Sequence, residues 1–194
     1  MNILLINAHQ PVGSANGALN ASLIERAKAQ LMDMGHIIKT TQINAGWDAP
    51  EEVEKHLWAD VIIFQTPVFW MGVPWIAKKY MDEVYSVGLT GALCNFDGRS
   101  SKNPKAGYGT GGTQTDTAYM LSLTFNAPIE AFDDPSEYLF EGRSVDDLFL
   151  PQHLCFRFFG MKALPTFACH DVKKNPEIEA DFARFDAHLR RQFA

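Results

Sequence analysis

The chain has 194 residues, 46% apolar and 21% charged, with a formal net charge of −6. These values predict one domain with a sizeable core and argue against a general nucleic-acid binder. They leave room for an anionic cofactor held by backbone N–H groups, and no apolar run approaches membrane-spanning length.

In chain order, "NILLINA" reads as a buried strand. After the loop "HQPVGSAN", the apolar residues Leu19, Leu23, Ile24, Ala27, Leu31 and Met34 recur at helical spacing, and Gly35 suits the helix end. "HIIKTTQI" reads as a second strand. A short helix opens at Asp48, with Pro50 and Glu51 supplying cap chemistry. "DVIIFQT" is the third strand, and Pro74 opens a helix with Ile76, Ala77, Tyr80, Met81 and Val84 on its buried side. Residues Lys105 to Thr110 are expected to form a fourth strand ending in glycines, and "TDTAYMLSLTF" a helix. Residues from about 128 to 160 read as an ordered excursion, ending in a helix from Pro151 to Gly160. "KALPTFACH" offers a last strand whose Pro165 suggests an edge position. The closing helix is expected to bury Ile178, Phe182, Phe185 and Leu189.

Alternating strands and helices call for a parallel sheet covered on both faces. The fold class predicted is α/β, a flavodoxin-like three-layer sandwich. Its five-stranded parallel sheet would run in the order 2-1-3-4-5 with helices on both faces, as a single domain over residues 1–194. "MNILLIN" lacks the basic segment and cleavage site of a signal peptide. Cys94, Cys155 and Cys169 have no CxxC spacing and read as free buried thiols, so a cytoplasmic location is expected.

In such a sheet, ligands bind beyond the carboxyl ends of the strands. Three loops are expected to meet there: 8–17, 66–73 and 108–115, taken to follow strands one, three and four. The first leads into a helix start, which suits a phosphate or pyrophosphate but equally suits plain capping by Asn16 or Ser14. It carries neither G-x-G-x-x-G nor a P-loop, and Asn7-Ala8-His9 lacks the acids of a phosphoacceptor site. Phe69 and Trp70, beside Met71 and Gly72, offer an apolar wall for an aromatic ring system; a subunit interface is the plainer alternative. "YGTGGT" lets a ring approach closely beside Tyr108. The six histidines show no metal-ligand spacing and no metal is expected; His9 and His153 are the least clearly structural. The acids of 130–147 read as a solvated surface.

The segments "SANGALN", "WADVIIFQTPVFWMGVPWIAKKYMDEV", "YGTGG", "YMLSLTFNAPIEAF" and "GMKALPTF" together resemble the flavodoxin-like NAD(P)H quinone oxidoreductases, nearly end to end. The resemblance implies a homodimer with one flavin per subunit, FAD rather than FMN. It implies NADPH, with NADH possible, as donor and a quinone as acceptor, in a two-electron ping-pong exchange. Carried onto this chain, Ala15, Asn16, Gly17, Ala18, Leu19, Asn20, Ala21 and Ser22 would hold the pyrophosphate and ribityl side. Val68, Phe69, Trp70 and Met71 would flank the isoalloxazine. Tyr108 with Thr124, Phe125, Asn126 and Ala127 would complete the pocket, Tyr108 and water being the two proton-donor options. The family commonly has Gly-Trp-Trp-Met where this chain has Val68-Phe69-Trp70-Met71, and a more basic stretch where this chain has "HQPVGS". The competing expectations are a one-electron flavodoxin-type carrier, an FMN-dependent azo or nitro reductase, and a flavin-free interaction module.

Overall fold

In the computed structural model, which describes residues 1–194, six strands form one parallel sheet. β1 (Asn2–Asn7), β2 (Ile37–Gln42), β3 (Val61–Pro67), β4 (Ala118–Thr124) and β5 (Lys162–Ala163) lie in the order β2-β1-β3-β4-β5. β6 (Phe167–Cys169) pairs with the carboxyl end of β4, Ser122 to Thr124. The expected five-strand order is therefore the observed one. The last strand comes in two pieces because Pro165, between them, has no N–H to give the ladder.

Six helices accompany the sheet: α1 (Ala18–Asp33), α2 (Ala49–Trp58), α3 (Trp75–Gly88), α4 (Val145–Leu148), α5 (Leu150–Phe158) and α6 (Ile178–Phe193). Side chains alternate across a strand, so each strand feeds two cores. Leu4, Ile6, Ile62, Phe64, Tyr119 and Leu121 pack with Val53 of α2, Ala77, Tyr80 and Val84 of α3, and Phe156 of α5. Ile3, Leu5, Val61, Ile63 and Met120 pack with Leu23, Ala27 and Leu31 of α1 and Phe185 and Leu189 of α6. No helix is long and apolar enough to cross a membrane.

Two expectations are corrected. "TDTAYMLSLTF" is not helical: its Ala118–Thr124 is the fourth strand, paired along its whole length with β3. The burial of β4 on both faces explains the apolar run, while Ser122 and Thr124, also buried, interrupted it. Lys105 to Thr110 is not a strand. Gly107 and Gly109 take φ of 80° and 82°, and the segment closes local turns such as Thr110 N–H to the Gly107 carbonyl at 3.1 Å. The 108–115 loop thus precedes the fourth strand instead of following it.

The excursion is ordered by its own apolar side chains and a polar chain. Phe132 and Phe149 are buried against Phe125, and the buried Phe140 stacks on Phe132. The Tyr119 hydroxyl donates to His153 Nδ1 at 2.7 Å, and His153 Nε2–H donates to Asp146 at 3.2 Å. Thr166 donates to the same carboxylate oxygen at 2.6 Å. Burial, with Asp146 adding to it, pushes the Tyr119 phenol up to about 12, and the His153 bond holds Asp146 below the usual carboxylate range. The chain joins β4, α4, α5 and the β5–β6 link, so it is a brace.

A second brace lies under α2. Glu52, 2% exposed, accepts hydrogen bonds from Thr41 of β2 and Tyr80 of α3, both at 2.7 Å. Lys55 reaches its other oxygen at 2.5 Å. Burial, then the Glu52 charge, raises the Tyr80 phenol well above its ordinary value.

Candidate functional site

Parallel strands all end on one edge, and the segments leaving β1, β3, β4 and β6 meet there around a cavity of about 330 Å³. Ser14 to Asn20 form one wall, Pro67 to Phe69 another, and Thr124, Asn126, Val172, Lys173 and Ile178 complete it. His9 lies at its floor, 3% exposed.

The first wall is the amino end of α1. Gly17 precedes the helix with φ 84°, and the Asn16 side chain accepts from the Ala18 N–H at 3.0 Å. The N–H groups of Leu19 and Asn20 find no acceptor within the chain. Asn16 therefore satisfies one donor and leaves others for an anion, so the capping and anion-binding options hold together. Gly17 has a second reason: a Cβ there would lie 2.2 Å from Cε1 and Nδ1 of His9. His9 Nε2–H donates to the Ala15 carbonyl at 3.3 Å, and the His9 N–H donates to Asn7 at 3.2 Å. Burial, only partly offset by that carbonyl, lowers the His9 pKa and keeps the ring neutral at pH 7.

Behind this wall, Gln65 donates to Asn20 at 2.8 Å, and Asn20 donates to Thr124 at 3.3 Å. The first turn of α1 is thereby tied to β3 and β4, which holds its free N–H groups in place.

The second wall ends in a tight hairpin. Phe69 and Gly72 exchange N–H···O bonds of 2.9 and 3.2 Å around Trp70 and Met71. These two residues have φ of 49° and 65°, the left-handed signs of a type I′ turn, where Asn-Gly is the usual choice. The N–H groups of Trp70 and Met71 find no acceptor in the chain. The turn at Trp70 and Met71 is therefore a strained backbone with two unpaired donors. Its side chains are not the wall: Trp70 is 96% exposed, whereas Val68 and Phe69 are half-buried and line the cavity.

Of the residues expected at the site, Ala15, Asn16, Gly17, Ala18, Leu19, Asn20, Val68, Phe69, Thr124 and Asn126 line this one cavity. Ala21 and Ser22 are exposed on α1 and do not line it. Trp70 and Met71 form the turn tip, Phe125 is buried among Phe132, Phe149 and His170, and Ala127 packs on the core. Tyr108 is not brought to the cavity. It is exposed, edge-on to Phe158 at 5.8 Å with Arg99 over its face, beside a larger apolar groove of about 840 Å³ between α3 and α5. The smaller cavity is the candidate site because the strand ends and the amino end of α1 meet there. His9 lies in the loop expected here and is one of the two histidines singled out from the sequence, whereas Val172, Lys173 and Ile178 were not expected at the site. The rule that ligands sit beyond strand ends, applied to the last strand as to the first, points to 172 and 173.

No carboxylate lines the cavity, one lysine does, and the free N–H groups of Leu19 and Asn20 belong to its helix-start wall. This donor set fits a phosphorylated, aromatic, hydrogen-bond-accepting group such as a flavin nucleotide. Asp, Glu, Cys and His do not cluster to hold a metal.

The model of the family described as having a flavodoxin-like fold matches residues 1–193. The chain is 47% identical to the NADPH:quinone oxidoreductase MdaB of Haemophilus influenzae over 193 residues, covering 100% of each. Among solved structures it is similar to the NAD(P)H:quinone oxidoreductase of Methanothermobacter marburgensis, with a TM-score of 0.70 at 17% identity, covering 99% and 98% of the two chains. It also resembles general stress protein 14 of Treponema denticola in complex with FMN, with a TM-score of 0.65 at 18% identity over 98% and 97%. Sheet order, crossovers, the site at the strand ends and these matches agree: the chain belongs to the flavodoxin-like fold family.

Proposed function

We propose that this protein is an FAD-dependent NADPH:quinone oxidoreductase, working as a homodimer of single-domain subunits, each spanning residues 1–194. The observation that carries this reading is the carboxylate-free cavity at the strand ends with unpaired N–H groups at the α1 start. The full-length likeness to the Haemophilus influenzae enzyme supports the same activity. A flavin held there would supply the two-electron redox chemistry between NADPH and a quinone.

The chain's own residues bind, orient and exclude water. Leu19 and Asn20 N–H groups meet the phosphate end, with the positive end of the α1 dipole behind them. The N–H groups of Trp70 and Met71 serve the polar edge of the ring, and Val68 and Phe69 its apolar face. A hairpin fixed before binding spends no reorganisation on ring placement. The choice of FAD over FMN rests on the resemblance to the quinone oxidoreductases. No proton-transfer role is given to Tyr108, which lies on the separate groove.

Trp70, Met71, Trp75 and Tyr108 are all exposed, and such an apolar surface supports burial against a second copy. Three unpaired cysteines fit a reducing compartment and support a cytoplasmic location.

The test is direct. The purified protein is expected to be yellow, to release FAD on denaturation, and to turn over NADPH continuously only when a small benzoquinone is present. A colourless protein that takes up neither FAD nor FMN overturns the reading. Phe69→Ala is expected to weaken FAD binding by about 1–3 kcal/mol, the worth of a buried aromatic contact. Trp70→Ala, which truncates an exposed side chain, is expected to change it far less. Equilibrium dialysis ranks the two, and the reverse order refutes the wall described above.

A further inference from the structure

We propose that Lys173 is the cation that binds the cofactor's phosphate, supplied by the segment after β6 in place of a basic first loop; this rests on the flavin reading above. Residues 8–17, "AHQPVGSANG", contain no lysine or arginine. The free N–H groups and dipole of α1 amount to roughly half a positive charge, less than a phosphate or pyrophosphate carries. His9, neutral through burial, adds none. Among the residues lining the cavity, Lys173 is the single lysine or arginine.

Its position is specific. Lys173 Nζ donates to Ser14 Oγ at 3.3 Å, joining two loops 159 positions apart across the cavity mouth. The nearby acids lie elsewhere: Asp171 and Glu177 line a different cavity with Glu130, Asp181 and Arg184. Lys173 forms an ion pair with neither Asp171 nor Glu177 and instead reaches the uncharged Ser14. Within residues 171–177, Lys173 thus faces the α1 start, while Asp171 and Glu177 face the other cavity. An ammonium held beside free N–H groups, with no carboxylate in the cavity, is the arrangement that an anion completes.

The experiment compares wild type, Lys173→Gln and Lys173→Arg, titrated with FAD, FMN and riboflavin by flavin fluorescence at two ionic strengths. Lys173→Gln is expected to weaken FAD and FMN about tenfold to a hundredfold, the size of one charge-assisted hydrogen bond, and to leave riboflavin unchanged. Lys173→Arg is expected to restore most of the loss, and the salt sensitivity of FAD binding is expected to fall in Lys173→Gln. Urea midpoints equal to wild type establish that the fold is intact. Unchanged FAD affinity in Lys173→Gln, or an equal loss for riboflavin, overturns the assignment while the flavin reading stands. A wild type that binds no flavin overturns both.

Discussion

Glu52→Ala is expected to lower the unfolding free energy by about 3–5 kcal/mol, since it strands buried donors and opens a cavity. The Tyr80 and Thr41 hydroxyls would each lose a 2.7 Å acceptor, and neither can turn to water, because Tyr80 is fully buried and Thr41 is 5% exposed. Lys55 can find solvent, so its share is small. For a domain whose whole stability is about 5–15 kcal/mol, this is a large fraction. Urea unfolding measures it: the midpoint falls while the slope stays constant. Glu52→Gln keeps the shape and one acceptor oxygen and is expected to cost less. Equal midpoints for Glu52→Ala and wild type would show that the brace under α2 contributes nothing.

Gly17→Ala is the second large effect, and it falls on the site. An alanine at φ 84° costs about 1–2 kcal/mol by backbone sterics, and forcing a methyl into a packed ring adds about 1–3 kcal/mol. The added Cβ would overlap the His9 ring, so that ring must leave the floor of the cavity and disturb the α1 start above it. FAD affinity is expected to fall at least as far as in Lys173→Gln. Gly35→Ala is the control. It has the same backbone sign, φ 85°, but no atom within 4 Å of the new methyl. If Gly17→Ala proves no worse than Gly35→Ala in either urea midpoint or FAD binding, the packing of His9 under the loop is not what requires glycine.

The sheet was legible where burial leaves an unbroken apolar run. "NILLIN" and "VIIFQT" are of that kind, and with their helices they sufficed for the strand order. β4 was not legible, because Ser122 and Thr124 sit in it as buried polar residues near the edge where the site forms. Thr124 bonds Asn20 there, so the residue that serves the site is the one that disguises the strand. The error carried over to Tyr108, which was taken to follow a strand that it precedes. Trp70 misled for another reason. A tryptophan in an apolar loop suggests a wall, and nothing in its letter reveals a left-handed φ that turns it to solvent. Lys173 was overlooked because its meaning depends on Ser14, and such a pairing exists only once the chain is folded.

The hairpin at Trp70 and Met71 has a consequence for anyone who tries to make this protein more robust. Two ordinary side chains occupy a turn whose geometry suits glycine, and relief lies one substitution away. A library screened for heat resistance alone is therefore expected to converge on Met71→Gly, gaining about 1 kcal/mol. The same change would loosen a rigid pair of N–H donors and remove apolar surface beside the ring site. Selection for endurance and selection for turnover should thus pull this position in opposite directions, and sorting one library both ways would reveal the conflict at residue 71 first.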